Sequence, residues 1–211
     1  MADTLARGDI TGLVLAGGRG ARMGGVDKGL QPFRGQPLAR HALQRLAPQV
    51  GSCLVNANRH LDRYAAFGAP VLPDSLADYA GPLAGFLCGL NHCTTPWLLT
   101  VPCDTPLFPP DLAERLAYAA AAENAEIVFA IGAETDAQGH VSWREQPVFC
   151  LMQTTLAPSL QRYLSEGGRK IDRWARMHRC ISVAFDAPQD DPQAFANANT
   201  LEELHALEHA R

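Results

Sequence analysis

Apolar runs at 10–15, 53–56, 70–74 and 97–101 constrain this chain more than any other feature, because they lack the polar alternation of half-exposed strands. Each is short, each ends on a glycine-rich, amide or acidic segment, and stretches of helical period lie between them. Strands buried on both faces and separated by helices imply a parallel α/β sheet with helices covering it. Leu38, Ala42, Leu43, Leu46 and Ala47 mark the first helix, which must stop before Pro48. A brief helix is expected at 61–67, another at 83–92 and a third at 111–122.

Beyond these, 127–131 reads as a further strand. Residues 132–145 read as a hairpin-like excursion, followed by an apolar run at 146–151. Helices are expected at 154–165 and 171–177, and a last strand at 180–185. Thr200 and Glu203 have the spacing of a capping box opening the final helix. No repeat and no linker divides the chain, so its 211 residues are expected to form one domain.

Ligands of open α/β sheets bind beyond the carboxyl ends of the strands. Here those ends carry Gly17-Gly18, Asn56, Asp74 and Asp104. The first is the start of a loop, Gly17-Gly18-Arg19-Gly20-Ala21-Arg22-Met23-Gly24-Gly25-Val26-Asp27-Lys28-Gly29, in which Arg19, Arg22 and Lys28 are opposed only by Asp27. Glycines let successive backbone amides approach an anion with no Cβ in the way. The loop is not of the GxxxxGK[ST] kind, since Lys28 lies between Asp27 and Gly29. As a dinucleotide fingerprint it is a weak match, since Met23 stands where the third glycine belongs and no clear ribose-binding acid follows. A strand, a glycine-rich turn and a delayed lysine suit the wrapping of a nucleoside triphosphate.

Charge and composition narrow the partners. The net charge is −4 and the pI about 5.9, so there is no general attraction to nucleic acid or to acidic membranes, and any anion must be drawn locally. No segment has the length and apolarity of a membrane span or a leader, and the expected location is the cytoplasm. Cys53, Cys88, Cys93, Cys103, Cys150 and Cys180 contain no C-x-x-C pair and read as reduced, mostly buried small hydrophobes. A second basic cluster, Arg169, Lys170, Arg173, Arg176 and Arg179, is either a solvated face or a dock for a second anionic substrate.

With these residues in hand, the sequence resembles the molybdenum cofactor guanylyltransferases over nearly its whole length. The resemblance is carried by Leu15-Ala16-Gly17-Gly18, the run from Arg22 to Gly29, Val55-Asn56-Ala57-Asn58-Arg59, Asp74-Ser75-Leu76-Ala77-Asp78-Tyr79, Gly81-Pro82-Leu83-Ala84-Gly85, Pro102-Cys103-Asp104-Thr105-Pro106 and Asn197-Ala198-Asn199-Thr200. Gly20 departs from the broader family, which often has serine there. Residues 132–143 match no recognised pattern.

The resemblance implies a three-layer, Rossmann-like nucleotidyltransferase fold with a mostly parallel sheet. It also implies transfer of GMP from GTP to the terminal phosphate of molybdenum-molybdopterin, with release of pyrophosphate. Carried over by position, Leu15, Ala16, Gly17, Gly18, Lys28, Asn56, Asp74 and Asp104 would bind GTP, Asp104 would also hold Mg²⁺, and Lys28, Arg22 and Asp104 would be catalytic. The half at about 10–130 would serve GTP and Mg²⁺, and that at about 131–211 the molybdopterin, with Arg169, Lys170, Asn197 and Asn199 as its candidate contacts. Acceptor molybdoenzymes or their chaperones are the expected protein partners. Two rivals remain: a related nucleotidyltransferase using CTP or a sugar phosphate, and a GTP-binding cofactor carrier without catalysis.

Overall fold

A computed structural model describes residues 5–18, 26–75, 81–135, 140–198 and 200–209. The strands in chain order are β1 (Ile10–Leu15), β2 (Pro32–Phe33), β3 (Gln36–Pro37), β4 (Ser52–Asn56), β5 (Val71–Leu72), β6 (Trp97–Pro102), β7 (Ile127–Thr135), β8 (Val141–Gln153) and β9 (Cys180–Ala184). The helices are α1 (Leu38–Leu46), α2 (Leu61–Ala65), α3 (Pro82–His92), α4 (Leu112–Ala122), α5 (Ala157–Ser165), α6 (Ile171–Ala175) and α7 (Leu201–His209).

The main sheet has the order β5-β4-β1-β6-β8-β7-β9. β1 pairs in parallel with β4 and β6, β4 with β5, and β7 with β9. Only β8 runs against its neighbours, pairing antiparallel with both β6 and β7. The sheet is therefore mostly parallel, as the unalternated strands require. α1 and α4 cover one face over Ile10, Val14, Leu99 and Val101. α3, α5 and α6 cover the other with Phe86, Leu87, Leu160 and Trp174 against Leu13 and Leu98. Burial of each such side chain contributes roughly 1.5–3 kcal/mol. A smaller cluster of Phe33, Leu38, Leu107, Leu204 and Leu207 joins the β2–β3 ribbon to α7.

Several boundaries differ from the sequence reading. The expected strand at 70–74 pairs only at Val71 and Leu72, flanked by prolines that donate no ladder hydrogen bond. The hairpin-like excursion expected at 132–145 is, in its described residues, the outer end of the antiparallel β7–β8 ladder, which runs from Ile127↔Met152 to Thr135↔Val141. Within it the register jumps from Phe129↔Cys150 to Ala130↔Gln146, so Pro147, Val148 and Phe149 bulge out of the ladder. Thr100, fully buried, satisfies the displaced backbone by donating to Val148 O at 2.7 Å. Phe149 packs edge-on against Phe195, with ring centroids 5.0 Å apart. The final helix has its capping box: Glu203 N–H donates to Thr200 Oγ1 at 3.1 Å and Thr200 N–H to Glu203 Oε2 at 3.3 Å.

Candidate active site

The carboxyl ends of β1, β4 and β6 open onto a cleft of about 590 Å³. Leu15, Ala16, Gly17 and Gly18 line it, as do Lys28, Asn56, Asp74 and Asp104. Every described residue expected from sequence to contact the nucleotide is thus on one wall. Parallel pairing does this: Leu15 is in register with Asn56 on one side and Pro102 on the other, so the following residues leave the sheet together. Two further bonds extend the register, from Ala16 N–H to Asn56 O at 2.8 Å and from Cys103 N–H to Leu15 O at 3.1 Å.

Lys28 and Asp104 form an ion pair, Nζ to Oδ2 at 2.6 Å, with side chains about one-fifth exposed. Lys28 begins a turn of 3₁₀-helix, Lys28–Leu30, held from behind. The buried Tyr64 hydroxyl donates to Asp27 Oδ1 at 2.6 Å, and Gln31 Nε2 donates to Asp27 O at 3.1 Å. Burial pushes the Tyr64 phenol far up, with the nearby Cys103, the hydrogen bond to Asp27 and that residue's charge acting in the same direction. It therefore remains a donor. Cys103 is buried and its thiol is likewise pushed up, first by burial and then by Asp104, so it fills space as a neutral thiol rather than reacting.

On the other side of the cleft floor, Asp74 is clamped. Asn56 Nδ2 donates to its Oδ1 and Asn58 Nδ2 to its Oδ2, both at 2.8 Å, while Asp74 N–H donates to Asn58 Oδ1, also at 2.8 Å. The loop carbonyls are fixed from the same segment: Asn58 Nδ2 donates to Gly17 O and Arg59 to Gly18 O, each at 3.2 Å. Small residues make this possible. A Cβ on Gly17 would fall 2.8 Å from Asn58 Nδ2, and one on Gly85 would fall 2.6 Å from Asn56 Oδ1. Gly81, at φ +69°, turns the chain into α3, and both Gly81 and the first helical residue, Pro82, line the cleft. The positive end of that helix dipole thus lies at the cleft, where it favours an anion.

Of the remaining lining residues only Asn197 was singled out from sequence. Gln146, paired with Ala130, and the bulged residues Pro147, Val148 and Phe149 of β8 line the cleft together with Asn197. Asn197 is brought there by Ala198 N–H, which donates to Asp104 O at 3.0 Å. The sequence signal was the Gln-Pro dipeptide at the head of an apolar run, since proline inside a buried strand demands a bulge or an edge.

Arg169 and Lys170, expected on the second-substrate side, do not line the cleft. They lie between α5 and α6, and the Arg169 guanidinium donates to Leu164 O at 3.1 Å and Gly168 O at 2.7 Å at the end of α5. Cations near helix carbonyls are favourable there for purely local reasons. Arg176 pairs with Glu145 at 3.4 Å and Arg179 with Glu126 at 3.7 Å, so much of the second basic cluster is matched by acids. Arg22 and Asn199 fall outside the described residues.

A glycine loop, a lysine–carboxylate pair and a clamped acid, all beyond the ends of parallel strands, define a nucleotidyltransferase of the α/β class. A sequence model of the MobA-like NTP transferase domain matches residues 12–181. The chain is 68% identical over 201 residues to the molybdenum cofactor guanylyltransferase of Acidovorax ebreus (strain TPSY), covering 95% of each. It is 58% identical over 202 residues to that of Methylibium petroleiphilum, covering 96% of this chain and 97% of the relative. It belongs to the MobA-like NTP transferases and, among them, to the molybdenum cofactor guanylyltransferase family.

Solved structures agree on the fold. Molybdopterin-guanine dinucleotide biosynthesis protein A from Archaeoglobus fulgidus superimposes with a TM-score of 0.75 at 19% identity, over 95% of this chain and 97% of that one. A 4-diphosphocytidyl-2C-methyl-D-erythritol synthase from Anaerococcus prevotii does so with a TM-score of 0.71 at 11% identity, over 97% of this chain and 99% of that one.

Proposed function

We propose that this protein transfers GMP from GTP to the terminal phosphate of molybdenum-molybdopterin, releasing pyrophosphate and forming the guanine dinucleotide cofactor. The observation that carries the reading is the lining of the cleft. It gathers Gly17, Gly18, Lys28, Asn56, Asp74 and Asp104 beyond the ends of parallel strands, with the β8 bulge and Asn197 beside them. Family membership supplies the two substrates.

An oxygen of the acceptor phosphate forms a bond to the α-phosphorus of GTP, and the bond from that phosphorus to the bridging oxygen of the β-phosphate breaks. The nucleophile is already ionised near neutral pH, so no Ser–His pair or strong base is required. What the chain must supply is alignment and compensation of charge on the triphosphate. Loop amides, Lys28 and the α3 N-terminus supply that compensation from one side. Asn197 and the Gln146–Val148 wall would bound the acceptor on the other, within the part of the chain assigned to molybdopterin.

Asp104 fits a role as the protein ligand of Mg²⁺. It is an oxygen donor at the cleft whose Oδ1 accepts one long contact, 3.4 Å from the Thr105 hydroxyl. Among the described residues no three His, Cys, Asp or Glu side chains gather to hold a metal alone. Mg²⁺ needs no such cage, since one carboxylate, waters and substrate phosphates suffice. When bound, the ion would neutralise charge on the phosphates. No helix among the described residues is long and apolar enough to cross a membrane. Action in the cytoplasm, with hand-over of the product to molybdoenzymes or their chaperones, belongs to the same proposal.

The test is pyrophosphate release from GTP, CTP and ATP with Mg²⁺ and molybdenum-molybdopterin, for the native protein and Asp104→Ala. GTP-selective release that requires the acceptor and vanishes in the variant is the expected result. Release from CTP would reassign the base, and tight GTP binding without release would make the protein a carrier.

A further inference from the structure

Asn58 lies outside the cleft lining, yet its side chain hydrogen-bonds two of the lining residues, Gly17 and Asp74. Its Nδ2 donates to Asp74 Oδ2 at 2.8 Å and to Gly17 O at 3.2 Å, and its Oδ1 accepts from Asp74 N–H at 2.8 Å. Both hydrogens of the amide are thus engaged within the protein, which leaves it no donor for a ligand. Asn56 occupies the other oxygen of Asp74 and donates also to Leu72 O at 3.1 Å. A carboxylate held at both oxygens has its plane fixed, and its remaining lone pairs point in fixed directions. Fixed acceptors of that kind can distinguish a base edge with two adjacent donors from one with a single donor.

We propose that Asn58 is a positioning residue for base selection. It orients the Asp74 carboxylate to accept from the N1–H and 2-amino group of guanine and ties that carboxylate to the Gly17 peptide beside the phosphates. Base recognition and phosphate placement are then coupled through one side chain. The inference rests on the proposed binding of GTP in this cleft, and adds to it that Asp74 faces the base.

Pyrophosphate release with GTP and with ITP, which lacks the 2-amino group, measures the selection directly. Asn58→Ala is expected to lower the GTP-over-ITP preference in kcat/KM about tenfold, mostly through KM, with kcat changed by less than about threefold, as befits loss of one charge-assisted hydrogen bond. Asn58→Asp, of nearly the same shape, sets two carboxylates against each other. It is expected to lose the same preference near pH 8 and to regain it near pH 5.5, when a shared proton restores the bond. A purely structural role would not give that pH profile, and the isosteric variant keeps the test available if Asn58→Ala fails to fold. Asp74→Asn separates the two levels of inference. If it abolishes the preference while both Asn58 variants retain it within twofold at every pH, Asn58 has no such role. If Asp74→Asn also keeps the preference, the assignment of Asp74 to the base falls and the role of Asn58 falls with it.

Discussion

Lys28 Nζ lies 2.6 Å from Asp104 Oδ2, joining the loop after β1 to the loop after β6 across 76 residues of sequence. The pair closes the floor of the cleft and keeps a cation poised where a triphosphate would enter. A unit charge pair at about 4 Å is worth roughly 4 kcal/mol at an effective dielectric of 20, against roughly 1 kcal/mol in water. A local cation therefore matters in a protein whose net charge is −4.

Replacement of Lys28 by alanine should cost on the order of 3 kcal/mol in the chemical step, by analogy with loss of an oxyanion donor. Single-turnover pyrophosphate release should slow by more than about a hundredfold while the thermal midpoint moves little. A decrease smaller than threefold would remove Lys28 from the catalytic set.

Chelation should abolish turnover without unfolding. With EDTA, pyrophosphate release is expected to stop and circular dichroism to remain unchanged, and excess Mg²⁺ should restore activity. Loss of fold on chelation would contradict a site in which one carboxylate shares the ion with substrate.

Gly85 faces Asn56 and Leu15 across the start of α3. A Cβ there would fall 2.5 Å from Leu15 Cδ2 and 2.6 Å from Asn56 Oδ1. Gly85→Ala should destabilise the fold by about 1–3 kcal/mol in urea titration, as overpacking does. It should also raise KM for GTP, because the amide it displaces holds Asp74. An unchanged KM would separate the helix contact from the nucleotide wall.

Alkaline pH should loosen the protein from about pH 9 upward. Burial pushes the Cys88 thiol from 9.0 to about 11, with Asp74 adding to the shift, and pushes Tyr64 much further from its ordinary 10.0. These groups lose their protons first in the unfolded chain. The stability they confer is thus complete below pH 9 to 10 and declines as pH rises toward their folded values, by up to about 1.4 kcal/mol per pH unit for each group. Urea midpoints between pH 8 and 11 would show it. Tyr64→Phe should remove part of that alkaline slope and cost about 1–3 kcal/mol near neutrality, because Asp27, 8% exposed, loses its donor.

The part of the cleft at the strand ends was legible because its residues follow apolar runs directly: Gly17, Asn56 and Asp104 come where strands end, and parallel pairing brings strand ends together. The direction of β8 was not legible. Residues 148–152 are an apolar run like that of any central strand, and burial on both faces looks the same whichever way the chain travels. The Gln146–Phe149 part of the lining was missed for that reason, since it comes from the middle of β8 rather than from an end. The β2–β3 ribbon was missed because two-residue strands carry no period. Arg169 and Lys170 lie away from the cleft lining: positive charge in a sequence marks an anion site or a helix carboxyl end equally well, and the Arg169 guanidinium donates to carbonyls at the end of α5.

The placement of β8 between β6 and β7 also sets an order of assembly. As the chain is synthesised, β1, β4, β5 and β6 can pair as soon as residue 102 is available, and the loops that would hold a nucleotide come with them. β6 then keeps a bare edge until residues 141–153 arrive to fill it. The second wall waits longer still, for Asn197 to be drawn in by the bond from Ala198 to Asp104. A growing chain can thus bring the strand-end side of the cleft together before β8 and Asn197 are available to complete its lining.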